Sequence, residues 1–251
     1  MGGCASSPAA TKLPPKIEFI QNINVVKYGV LGEAMGKTPF ETRPAAPKPG
    51  KDTLIVDPAS IQILSNPYFR PADAGGAAGA IYRFLGIDDN TAFPPDVVSE
   101  LNSDDNRAAY KRYGFPDATH VIHVIGPDFK VQEDASRDEA VSQLARAYAG
   151  VLRIACQQPR QLLRLVPISS GIYAGKFRDE MPHITAEALL AAFEDLEASK
   201  PELLKELAPA EGRQIEMCIF NPTEADTYAA ALASCTQSPA AASASTSTVS
   251  E

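Results

Sequence analysis

The sequence predicts an α/β fold: a three-layer α/β/α sandwich in which helices cover both faces of a mixed, mainly parallel central sheet. Three observations carry that prediction. The runs Thr53–Asp57 and Thr119–Ile125 are apolar or β-branched at most positions, the pattern of strands buried on both faces. Ser136–Cys156 and Ile184–Leu207 repeat their apolar residues at helical spacing. Glycine loops stand between the two kinds of segment, so strands feed helices through short turns. With 251 residues, 45% of them hydrophobic, the chain can enclose one substantial core.

Residues 1–15 read as a flexible leader and 16–236 as the folded domain. Residues 237–251, rich in Ser, Ala and Thr, read as a disordered tail with too little apolar surface to offset its ordering entropy. Within the domain, Ile17–Val26 reads as an apolar-rich strand region. Gly29–Lys51, dense in Gly, Pro, Lys and Thr without periodicity, reads as a surface insertion. Thr53–Asp57 is a buried strand stopped by Pro58. The loop Ala74-Gly-Gly-Ala-Ala-Gly-Ala-Ile81 runs into a helix over Ala77–Leu85, and polar, acidic Gly86–Asn106 holds one short helix. Thr119–Ile125 is a central strand stopped by Gly126-Pro127, and Ser136–Cys156 is a helix. Leu162–Val166 is a strand that ends in the loop Pro167-Ile-Ser-Ser-Gly-Ile-Tyr-Ala-Gly175. Ile184–Leu207 is a helix interrupted near Pro201, and Ile215–Phe220 is the closing strand.

Both glycine loops follow a strand and precede a helix, so bare backbone N–H groups can converge there on an anion. In an open α/β sheet such loops face each other across the crevice beyond the strand carboxyl ends. This is chemistry for linked phosphates. A net charge of −8 argues against nucleic acid as a partner, because a phosphate backbone needs clustered Lys and Arg. Cys4, Cys156, Cys218 and Cys235 form no CxxC pair and have no His at ligand spacing, which fits a reducing compartment and gives no metal site. His120 and His123 fall on opposite faces of their strand and read as buried, hydrogen-bonded side chains. Asp57 reads as a strand terminator, Asp73 as a turn residue and His183 as an exposed loop residue. Ser169-Ser170 lacks a nucleophile elbow, and Ala74–Ala78 lacks the Lys and Ser/Thr of a Walker loop.

No stretch is long and apolar enough to cross a bilayer. Met1-Gly-Gly-Cys-Ala-Ser-Ser7 instead fits dual acylation, with myristate on Gly2 and palmitate on Cys4. Two acyl chains anchor stably where one does not, which predicts a lipid anchor on the cytoplasmic face of a membrane.

Together, the strand Val121–Pro127, Ala147-Tyr148, the loop Pro167–Tyr173 and the closing strand Ile215–Phe220 resemble the macro domain family of ADP-ribose-binding modules. The resemblance covers roughly residues 17–233. It implies that the backbone of Ala74, Gly75, Gly76 and Ala77 and of Ser169, Ser170, Gly171, Ile172 and Tyr173 grips the diphosphate of ADP-ribose, free or attached to protein. It implies that Asn24 accepts from the adenine amino group, that Phe220 packs on adenine, and that Ser60 stands where the family's ribose-binding Asn lies. A hydrolytic branch carries an acid at the position of Ala78, so the resemblance leaves the catalytic residues unassigned. A degenerate fold serving protein interaction, and a weak ADP-ribosyl hydrolase, are its alternatives; no cofactor is implied.

Overall fold

The computed structural model describes residues 15–38, 41–105, 107–114, 118–158, 160–207 and 213–237. In chain order its elements are α1 (Pro15–Gln21), β1 (Ile23–Val26), β2 (Glu33–Met35), β3 (Thr42–Pro44), β4 (Thr53–Ala59), α2 (Gln62–Ser65), α3 (Gly76–Phe84), α4 (Pro95–Ser103), β5 (Ala108–Tyr113), β6 (Thr119–Ile125), α5 (Arg137–Gln157), β7 (Leu162–Leu165), α6 (Met181–Ser199), β8 (Gln214–Cys218) and α7 (Ala225–Ser234). The main sheet runs β1-β8-β7-β4-β6-β5. Its pairings are parallel except for the antiparallel β5–β6 edge. The mixed, mainly parallel sheet between helical layers is the predicted architecture.

Parallel strands must be buried on both faces, and Leu54, Ile55, Val56, Val121, Ile122 and Val124 are fully inaccessible. On one face α3 and α4 cover β4, β6 and β5. Here Tyr82 of α3 reaches Asp57, and Lys111 of β5 pairs with Asp96 of α4. The other face carries α5 and α6, with α1 and α7 packed beside α6. Helix α5 starts at a capping box in which the Ser136 hydroxyl accepts from the Glu139 amide while the Glu139 carboxylate accepts from the Ser136 amide. A bidentate Arg137–Glu187 pair ties α5 to α6 and holds the Glu187 carboxyl below its ordinary range.

Three readings of the sequence are corrected. Ile17–Val26 is a helix followed by a short strand. The helix buries Phe19 and Ile20, and Phe19 stacks on Phe193 with 4.7 Å between ring centroids. The insertion 29–51 contains the β2–β3 hairpin and packs down on the sheet. Its anchor is Arg164, 4% exposed on its side chain, which donates to the carbonyls of Val30 and Pro47 at 3.0 Å and to Glu216 at 3.0 Å. Strand β5 adds an antiparallel edge that no reading of the sequence covers. His183 is the third residue of α6 and exposed.

Candidate functional site

Strands β4 and β7 lie side by side, yet the chain leaves their carboxyl ends in opposite directions. From β4 it passes to α3 on one face, and from β7 to α6 on the other. A crevice opens at such a switch point. Loop residues 60–75 form one side, ending at Gly75, the N-cap of α3. Residues 166–175 form the other. The Tyr173 hydroxyl spans them, donating to Ser60 Oγ at 3.3 Å, and Ser60 Oγ accepts the Gln62 amide at 3.2 Å.

The backbone in both loops is shaped to leave donors free. Gly76 has φ +57° and Gly171 φ +62°, in the left-handed region that suits glycine. A Cβ placed on Gly75, Gly76 or Gly171 would meet no atom within 4 Å, so each faces open space. Among the described residues, the amides of Gly75, Gly76, Ala77 and Ala78 and those of Ser169, Ser170, Gly171 and Ile172 have no hydrogen-bond acceptor. The first group also stands at the positive end of α3. Ser169 itself has φ +58°, an uncommon conformation for a residue with a side chain. Its Oγ is buried without a partner, pressed against Gly126, where any side chain would fall 2.4 Å from Ser169 Oγ. The Ser170 hydroxyl closes the loop on the Pro167 carbonyl at 2.8 Å, and the Arg178 guanidinium donates to the Gly171 carbonyl at 3.4 Å. The crevice therefore combines eight unpaired amides, one helix N-terminus and a nearby cation. It contains no acidic side chain in the first turn of α3.

Beneath it lies a buried polar chain built by strand register. Asp57 is paired with His123 across β4 and β6, so both project toward α3. Asp57 Oδ2 accepts the Tyr82 hydroxyl at 2.9 Å and lies 2.7 Å from His123 Nδ1, while His123 Nε2 lies 2.9 Å from the Tyr113 hydroxyl. The ring of Phe93 closes edge-on against Tyr82 and His123. Asp57 is 0% exposed, and its Oδ1 has no partner. Burial, with the Asp57 charge adding to it, raises the Tyr82 and Tyr113 hydroxyls above their ordinary range.

The residues named from sequence divide by position. Ser60, Ala74, Gly75, Gly76 and Ala77, with Ser169, Ser170, Gly171, Ile172 and Tyr173, lie on the loops that follow the carboxyl ends of the neighbouring strands β4 and β7, joined by the Tyr173–Ser60 hydrogen bond. Ile172 is 70% exposed there. Phe220 follows the carboxyl end of β8, 40% exposed, and its carbonyl accepts the Met35 amide of the β2–β3 hairpin at 3.1 Å. Asn24 does not join them: it stands within β1 and lines a cavity of about 420 Å³ whose other walls come from α1 and α7. Asp57 is not a strand terminator but the centre of the buried chain, and Asp73 closes a turn on Arg70. Gly2 and Cys4 lie outside the described residues.

Residues 72–183 match the family model of the Macro domain. The macro match takes in the first glycine loop, α3, β6, α5, β7 and the second loop, and it supports the macro family reading of the chain's central part. The chain is also similar to solved macrodomain structures. The Oceanobacillus iheyensis macrodomain with ADP is 16% identical, with 74% of this chain and 86% of that chain covered at a TM-score of 0.49. The Trypanosoma brucei macrodomain in complex with ADP is 17% identical, with 88% and 74% covered and a TM-score of 0.49. No curated protein sequence matches the chain.

Proposed function

We propose that this chain binds ADP-ribose, free or attached to protein, in the crevice between the two glycine loops, and that acyl groups on Gly2 and Cys4 hold it at the cytoplasmic face of a membrane. One observation carries the binding reading. Two sets of unpaired amides, those of Gly75–Ala78 and of Ser169–Ile172, flank open space at the switch point of the sheet. A diphosphate supplies acceptors to both sets at once, and the α3 N-terminus favours its charge. Phe220, exposed at the neighbouring strand end, offers an apolar face to adenine, and Tyr173 with Ser60 offers hydroxyls to the distal ribose. The Ala78 side chain gives α3 no acid to activate water, which favours binding over hydrolysis.

Calorimetry with ADP-ribose tests the reading. Gly75 has φ −99°, ordinary for any residue, and free space around it, so Gly75→Glu sets a carboxylate in the crevice without backbone strain. Wild type should bind, and the variant should bind at least about a hundred-fold more weakly with its thermal unfolding little changed. Absence of heat from wild type at millimolar ligand defeats the reading. The anchor is tested separately, by metabolic labelling with a myristate analogue: label lost in Gly2→Ala supports it, and an unlabelled wild type rejects it.

A further inference from the structure

At the end of the sheet opposite the two loops, β5, β6 and the turn after α5 gather four side chains that the crevice does not use. His120 is 3% exposed. Its Nδ1 lies 2.6 Å from the Tyr110 hydroxyl and 3.4 Å from Arg160 Nη2. With an O–H and an N–H aimed at it, Nδ1 keeps its lone pair and the ring is neutral. Burial, then the charges of Arg160 and Arg112, hold its pKa below the ordinary histidine range. Arg112 is the cross-strand partner of His120 and shares its face of the sheet. Among the described residues neither Arg112 nor Arg160 has an ion pair. Asp52, exposed, is the carboxylate that acts on the group.

Arg160 is held in place from behind. The Arg213 guanidinium donates to the carbonyls of Arg160, Ala155 and Gln158, each at 2.9 Å, which caps α5 and fixes the backbone that carries Arg160. Arg160 Nε is nevertheless buried with no acceptor. In a chain of net charge −8, two guanidiniums with no ion pair among the described residues, beside a neutral imidazole, form a local site for negative charge.

We propose that this cluster binds a phosphate dianion, with Arg160 and Arg112 as its charged clamps and Tyr110 and His120 as its polar floor. Two guanidiniums match a dianion with three peripheral oxygens, whereas one fork would satisfy a carboxylate. The anion is either free inorganic phosphate or a phosphate monoester, as on a phosphorylated side chain.

The His120 ring proton is a local reporter that the crevice does not disturb. The full chain is titrated at neutral pH with inorganic phosphate in one arm and O-phosphoserine in the other, followed by NMR. A saturable shift of the His120 resonance is expected, weakened at least about ten-fold in Arg160→Ala and in the exposed-site variant Arg112→Ala. Saturation in both arms marks a site for free phosphate, and saturation by phosphoserine alone marks a monoester site. A His120 resonance unmoved by either at tens of millimolar, or moved equally in both variants, overturns the proposal.

Discussion

Asp57 carries two donors on one carboxylate oxygen and none on the other, inside a fully buried setting. Removing such an acceptor strands its partners, so Asp57→Ala should cost about 3 kcal/mol in chemical denaturation, with both the Tyr82 hydroxyl and His123 Nδ1 left unpaired. Tyr82→Phe removes only one donor and should cost about 1 kcal/mol. A loss below that in Asp57→Ala would mean that the carboxylate is not engaged as drawn. The partners explain why sequence alone misread this residue. Tyr82 is 25 positions away and His123 is 66, and nothing local to Val56-Asp57-Pro58 shows which strand will lie beside it. The glycine loops are different, because their chemistry is backbone chemistry and is written in adjacent residues. Ser60, Ile172 and Asn24 rest on the family resemblance alone, and of these Asn24 lies apart, on β1 against α1 and α7.

Among the elements, long segments with a strong period were readable and short or tertiary-dependent ones were not. Helix α5 has both its capping box and an apolar stripe, and β4 and β6 are apolar or β-branched at most positions; these owe little to distant contacts. Strands β2 and β3 are three residues each and exist because a partner edge and an anchor hold them. That anchor is Arg164, whose ion pair with Glu216 is almost wholly buried and whose other donors hold the insertion by two carbonyls. Arg164→Ala leaves the Glu216 charge with one partner fewer and releases the carbonyls of Val30 and Pro47. Limited trypsin digestion should then cut after Lys37 or Lys51, the sites here not followed by proline, sooner than in wild type, and stability should fall by about 3 kcal/mol. Equal digestion rates would show that the insertion is held by other means.

Across the whole molecule, one sheet with helices on both faces traps several phenols. Burial is the largest cause raising Tyr82, Tyr113, Tyr148 and Tyr228, and it raises Tyr28, beside Glu216, to about 12. Each group is harder to ionise folded than unfolded, where tyrosine titrates near about 10. The stability they contribute is therefore complete below about pH 10 and is lost as pH rises through the folded values. The buried phenols should ionise only as far-UV ellipticity is lost, above about pH 10; phenolate absorbance from all eight tyrosines with ellipticity intact would contradict this. The same architecture brings the ends of β4 and β7 together, and with them the two loops on which the account rests. Amide NMR during titration with ADP-ribose tests that most directly. The account predicts the largest shifts at Gly75–Ala78 and at Ser169–Ile172 in the same titration, and shifts confined to one loop, or absent from both, would contradict it.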